Sequence, residues 1–144
     1  MNVDSISRGL VIDHIAPGRG MDIYKFLKLD KIDCMVAIIQ NARSKQSGRK
    51  DIIKIEDRID LDLDVLGFID PHITVNIIDG GKIIEKKRMK LPEEVTNVAR
   101  CTNPRCITSI EQGLPHVFQL VDPEEGTYRC KYCEQVLTDK IAGV

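Results

Sequence analysis

Two close pairs of cysteines, Cys101 with Cys106 and Cys130 with Cys133, restrict this chain more than any other feature. The segment reads C-T-N-P-R-C, then 23 residues, then C-K-Y-C. Two such knuckles can bring four sulfurs to one point, and Zn²⁺ favours a tetrahedron of soft thiolates. A closed set of four cysteines leaves no coordination position for water, so the expectation is one structural zinc ion and no catalytic metal. The 50 residues after the Leu91-Pro92-Glu93-Glu94 segment are too few to build a stable core without such a staple. Four thiolates around Zn²⁺ carry a formal charge of about −2, which the neighbouring Arg105, Arg129 and Lys131 can offset. Two other readings compete. A pair of disulfides would need an oxidising compartment. A redox-active C-x-x-C at Cys130 and Cys133 would leave Cys101 and Cys106 without a purpose.

The rest of the sequence bounds the setting. The chain has 144 residues, 42% hydrophobic and 30% charged, the balance of a globular protein. It contains no apolar run of about 18 residues, so no membrane span is expected. The apolar stretch from Gly9 to Ile15 holds Asp13 and His14 and lacks a small-residue cleavage site, unlike a signal peptide. A cytoplasmic location is therefore expected. The net charge is −1, and the only basic run is KIIEKKRMK from Lys82 to Lys90. Nucleic-acid binders carry a basic excess or stripe. A zinc-ribbon nucleic-acid-binding protein is thus the runner-up reading, and no nucleic-acid partner is expected. The fifth cysteine, Cys34, stands apart and reads as a small buried apolar residue.

Hydrophobic periodicity divides the first 90 residues into strands and helices. Gly9–Ile15 alternates as a strand with Leu10, Ile12 and His14 on one face, and Pro17-Gly18 breaks it. Ile23, Phe26 and Leu27 recur at helical spacing in Met21–Leu29, with Lys25 and Lys28 turned outward. Cys34–Gln40 reads as a strand, Asn41–Gly48 as a polar loop, and Lys50–Glu56 as a strand with Lys50, Ile52, Lys54 and Glu56 on one face. Acidic residues open a short helix in Asp60–Asp70, which Gly67 weakens. Thr74–Asp79, Gly80-Gly81 and Lys82–Arg88 form a hairpin. The order β-α-β-β-α-β-β predicts an α+β fold: a ferredoxin-like antiparallel sheet with two helices on one face, followed by a small zinc-bound all-β domain. The boundary falls at Pro92, giving domains 1–92 and 93–144.

No nucleophile elbow, P-loop or H-E-x-x-H is present, so catalysis is not expected. Asp13 and His14 end a strand where both could face a ligand, and Asn76 lies inside the apolar strand TVNII, where a buried amide needs partners. Lys54 and Lys86 sit on separate strands, while His72 and His116 read as surface residues.

Four features occur in order along the chain: RGLVIDHI at Arg8–Ile15, GRKDIIKIE at Gly48–Glu56, TVNIID…LPE from Thr74 to Glu93, and the cysteine spacing. Together they resemble the regulatory chain of aspartate carbamoyltransferase, from about Val3 to the C-terminus. The resemblance implies a non-catalytic subunit. Its N-terminal allosteric domain binds CTP, ATP and UTP, and its zinc domain docks on the catalytic chain. It further implies a homodimer through the N-terminal domain, with regulatory dimers bridging catalytic trimers. By the same resemblance Asp13 matches an acid on the ribose hydroxyls, and Lys54 a lysine that reads ribose and base. His14, Asn76 and Lys86 match groups around the triphosphate. Val3, Asp4, Ile6, Val11, Ile78, Gly81 and Ile83 match pocket walls and backbone contacts, and Lys50 a residue tied to coupling and to a second nucleotide. Asn103, Arg105, Tyr132 and Glu134 match positions that touch the catalytic chain. Gly81 stands where some members carry an aromatic, and Arg105 where asparagine can occur.

Overall fold

Strand β1 (Arg8–Ile15) lies at the centre of a five-stranded sheet ordered β2-β3-β1-β4-β5, antiparallel throughout. The computed structural model describes residues 7–45, 48–57, 60, 63–138 and 140. The flanking strands are β2 (Val36–Ser44), β3 (Gly48–Ile55), β4 (Thr74–Asp79) and β5 (Lys82–Arg88). The first four strands have the ferredoxin-like order, and β5 adds an edge beyond β4. Alternation sorts the side chains. Ile12, Ile53 and Val75 pair across the three central strands and are buried on one face. Each such residue contributes about 1.5–3 kcal/mol by leaving water.

Helix α1 (Gly20–Phe26) packs on β2 and β3 through Ile23, with Lys25 exposed as its spacing predicts. It is shorter than Met21–Leu29, because Lys28 takes a left-handed conformation at φ 55° and a 3₁₀ turn, Leu29–Lys31, follows. The polar loop expected at Asn41–Gly48 is mostly strand: β2 continues to Ser44, and its polarity reflects a solvated edge position. Cys34 is half-buried rather than buried, and it precedes β2. Desolvation, then the carboxylates Asp57 and Asp33, push its thiol up from the ordinary value.

A bulge corrects the expected face of His14. Ile12 pairs with Ile53 and Ile15 with Asp51, so two residues of β1 face one of β3. Ile15 takes the next core position, fully buried, and Asp13 and His14 both turn away from the core.

The second compact unit holds helix α2 (Leu63–Ile69) and the chain from Lys90 onward. Its three-stranded antiparallel sheet is ordered β6 (Glu94–Thr96), β7 (Val117–Asp122), β8 (Thr127–Cys130), with one helical turn, α3 (Ile107–Ile110). The core joins Phe68 of α2 to Val95, Ala99, Phe118 and Tyr128. Phe68 and Tyr128 meet edge to face at 4.7 Å between centroids. The buried Tyr128 hydroxyl donates to the Pro92 carbonyl, and burial pushes its pKa up to about 12. The expected α+β fold is borne out, an antiparallel sheet followed by a small β domain that carries the cysteine cluster, with α2 grouped with that second unit. Among the described residues, no helix is long and apolar enough to cross a membrane.

Candidate functional site

The four knuckle cysteines converge. Cys101 comes from the loop after β6, Cys106 from the N-cap of α3, Cys130 from the end of β8, and Cys133 from the turn that follows. Cys101 Sγ lies 3.6 Å from Cys133 Sγ, Cys106 Sγ lies 3.7 Å from Cys130 Sγ, and all four sulfurs fall within 4.8 Å of one another. A tetrahedron with Zn–S bonds of about 2.3 Å has edges of roughly 3.8 Å, so the sulfur set fits Zn²⁺. It does not fit disulfides, whose sulfurs bond at about 2.05 Å, and the cysteines are free thiols. These cysteines would hold one structural zinc.

The electrostatics of the sulfur set favour a cation. Burial, above all, pushes Cys101 up to about 12 and raises Cys130 as well. Burial acts upward on Cys106 too, but the Thr108 hydroxyl and N–H, with the Cys130 and Cys133 thiols, bring it down to about 7. Four thiolates this close, Cys106 and Cys130 buried and Cys101 and Cys133 half-buried, would repel one another, and a divalent ion relieves that repulsion.

Local hydrogen bonds shape both knuckles. Cys106 Sγ is 3.0 Å from Thr108 Oγ1. Asn103 Oδ1 accepts from the Arg105 N–H at 3.0 Å, and its carbonyl accepts from the Cys106 N–H and from Ser109 Oγ. In the second knuckle the Glu134 N–H donates to the Cys130 carbonyl, with Glu134 at φ 65°. Asn103 and Glu134 therefore shape the knuckles themselves, whereas Arg105 and Tyr132 stand exposed. His116, read from the sequence as a surface residue, is half-buried, and its Nδ1 accepts the Cys101 N–H at 3.1 Å. Nothing in the spacing of His116 signals that role. Thr108, two residues after Cys106, was the more legible partner.

In the first unit, the candidate ligand residues fall into one row. Lys54 pairs with Val11, Val11 with Asn76, and Asn76 with Lys86 across β3, β1, β4 and β5. Directly paired residues of antiparallel strands share a face, so the row lies opposite the isoleucine core. Asp13 and Lys50 sit on the same side, joined at 3.0 Å and 17% exposed each. The His14 N–H donates to Asp13 Oδ1 at 2.7 Å, and His14 Nδ1 lies 3.0 Å from Thr74 Oγ1. Asn76 Oδ1 is buried without a hydrogen-bond partner. Ile78 pairs with the exposed Ile83, and Gly81 forms the hairpin turn with φ 75°. Val3, Asp4 and Ile6 lie outside the described residues. Sequence reasoning missed Asp51, a fully buried carboxylate on the isoleucine face. The alternation K-D-I-I-K-I carried that signal, since Asp51 shares parity with Ile53 and Ile55.

Comparison with known proteins agrees with both halves. Residues 1–90 match the family model described as aspartate carbamoyltransferase regulatory chain, allosteric domain, and residues 93–142 the corresponding metal binding domain. The regulatory chain of Clostridium acetobutylicum is 54% identical over 136 residues, covering 94% of this chain and 93% of that one. Those of Clostridium tetani and Bifidobacterium longum are 51% and 48% identical, covering 94% of this chain and 95% and 97% of theirs. With residues 1–90 and 93–142 matched to its two domain models and full-length relatives about half identical, the chain belongs to the aspartate carbamoyltransferase regulatory chain family.

Proposed function

We propose that this protein is a non-catalytic subunit that senses nucleoside triphosphates and controls aspartate carbamoyltransferase, and through it pyrimidine biosynthesis. The observation that carries the reading is the row Lys54–Val11–Asn76–Lys86, two cations and a buried unpaired amide oxygen spread over a small apolar step. Phosphates need cations and amide donors, which Lys86, His14 and Asn76 offer. A carboxylate suits sugar hydroxyls, which assigns Asp13 to the ribose, and Lys54 then stands between ribose and base. Lys50 holds Asp13 in place and balances its charge. Zinc, when bound, supplies only structure. The knuckles it closes carry Asn103, Arg105, Tyr132 and Glu134 towards the catalytic chain. Pairs of this subunit, joined through the N-terminal unit, would bridge catalytic trimers.

Allosteric control requires a ligand to bind two global states with different affinity, a coupling typically of ~1–3 kcal/mol. ATP, CTP and UTP are the effectors in this reading, and Val95 to Arg100 is the junction that passes their effect on. The test is carbamoyl transfer to aspartate by the partner catalytic chain, with and without the zinc-loaded protein and each nucleotide. The protein alone is expected to be inert, yet to alter the aspartate response of the catalytic chain, and each effector should shift that response further. Lys54→Ala should lower nucleoside triphosphate affinity at least about tenfold, the value of one charge-assisted contact. Catalytic-chain kinetics indifferent to the zinc-loaded protein would defeat the reading.

A further inference from the structure

We propose that Asp51 is a positioning residue for the sugar end of the nucleotide pocket, holding Asp13 and Lys50 through the backbone without touching the ligand. The proposal rests on the nucleotide reading above. Asp51 is 0% exposed, on the core face of β3, and its carboxylate accepts three backbone N–H groups. Gly18 and Gly20 donate to Oδ2 at 3.1 and 2.9 Å, and Asn41 donates to Oδ1 at 2.8 Å.

Those donors come from both sides of β3, and each side is irregular beside Asp51. On β2 the register jumps between Ile39 and Ala42, so Gln40 and Asn41 together face Asp51. A bulge takes an N–H out of the ladder, and Asn41 sits there at φ 61°. The Asp51 carboxylate receives that N–H. On the other side the register jumps between Ile12 and Ile15, and Ile15 pairs with Asp51 itself. The chain leaving this bulge turns back into α1 through Gly18 and Gly20, where the other two N–H groups meet the same carboxylate. Gly20 leaves room for it: a Cβ there would lie 2.9 Å from Asp51 Oδ2.

The consequence appears on the opposite face. The β1 bulge turns both Asp13 and His14 towards the ligand row, and Lys50, the residue before Asp51, closes on Asp13 at 3.0 Å. A recognition group must be held to within about half an ångström by the residues behind it. Asp51 is the side chain that ties the exit of β1, the β2 bulge and β3 together at this level. A carboxylate is suited to three donors because it only accepts, whereas an amide would turn its own N–H₂ against one of them.

The test is calorimetric titration of the full zinc-loaded chain with ATP and with 2′-deoxy-ATP. Asp51→Asn, Gly20→Ala and Asp13→Asn are compared with the unaltered protein. Asp51→Asn is expected to lose about tenfold in ATP affinity, as for one misplaced charge-assisted hydrogen bond, and most of the preference for the ribonucleotide. Gly20→Ala, which displaces the carboxylate without removing it, should move both readouts in the same direction, and it decides the matter if Asp51→Asn does not fold. A purely structural role would lower the melting temperature and leave the sugar preference of the folded protein intact. That result overturns the proposal and leaves the nucleotide reading standing. Failure of the unaltered protein to bind either nucleotide overturns both. An intact preference in Asp13→Asn would remove the sugar assignment, and the proposal with it.

Discussion

Asn76 Oδ1 is buried in the ligand row without a hydrogen-bond partner, at a place where an apolar side chain would fit the strand better. An acceptor left dry costs about 1–3 kcal/mol. Its neighbours in register, Val11 and Lys86, do not hydrogen-bond that oxygen. On the nucleotide reading proposed above, the amide is kept because its N–H₂ serves the phosphates, which makes this residue a point where stability and binding oppose each other. Asn76→Val should therefore raise the stability of the unliganded protein by about 1 kcal/mol, measured by thermal denaturation, and weaken nucleoside triphosphate binding. A variant that is destabilised and still binds normally would show that Asn76 is only a strand residue. Asn76 was legible from the sequence as a polar residue in TVNII. The Asp13–Lys50 pair was not, because it depends on a bulge in β1 that no local pattern of Arg8–Ile15 announces.

At the scale of elements, legibility followed where each side chain's partner lay. The hairpin Thr74–Asp79 and Lys82–Arg88 was readable to the residue, since Gly80 and Gly81 adopt the positive φ values, 60° and 75°, that a two-residue turn requires. The end of β2 was not, because its polar residues Asn41–Ser44 lie on an edge strand. Helix α2 was legible as a helix, but its packing was hidden. Gly67 reads as a weak helix residue, yet a Cβ there would stand 2.0 Å from the Lys90 carbonyl oxygen. The glycine is a close-approach residue that lets α2 lie against the backbone at Lys90 and seats Phe68 in the core around Tyr128. Gly67→Ala should thus destabilise the protein by about 1–3 kcal/mol, the range of an overpacked core, although alanine favours an isolated helix. A stability equal to or above that of the unaltered protein in denaturant titration would mean that the approach relaxes freely.

The whole molecule has two units that derive their stability differently, and the chain passes between them three times, at 62/63, 71/72 and 89/90. The first unit is held by a five-stranded sheet with a fully buried isoleucine face. The second rests on a three-stranded sheet whose core includes two of the zinc ligands, Cys106 and Cys130. Zinc binding in domains of this size supplies on the order of 10–16 kcal/mol of apparent free energy, far more than so small a core can replace. Removing zinc with a strong chelator should therefore unfold the second unit and leave the first. In amide-resolved NMR, the resonances of Val95, Phe118 and Tyr128 should collapse while those of Ile12, Ile53 and Val75 persist. The decisive probe is Phe68, which lies in sequence between β3 and β4 but packs with the zinc unit. Its resonance should vanish with Tyr128, because its burial depends on the core that zinc organises. Loss of α2 would then reach the two strands that bear Lys54 and Asn76 by their covalent ends, at 62/63 and 71/72, besides the crossing at 89/90. If Phe68 instead keeps its signal together with Ile53 after chelation, α2 is held by the first unit and that covalent route does not operate.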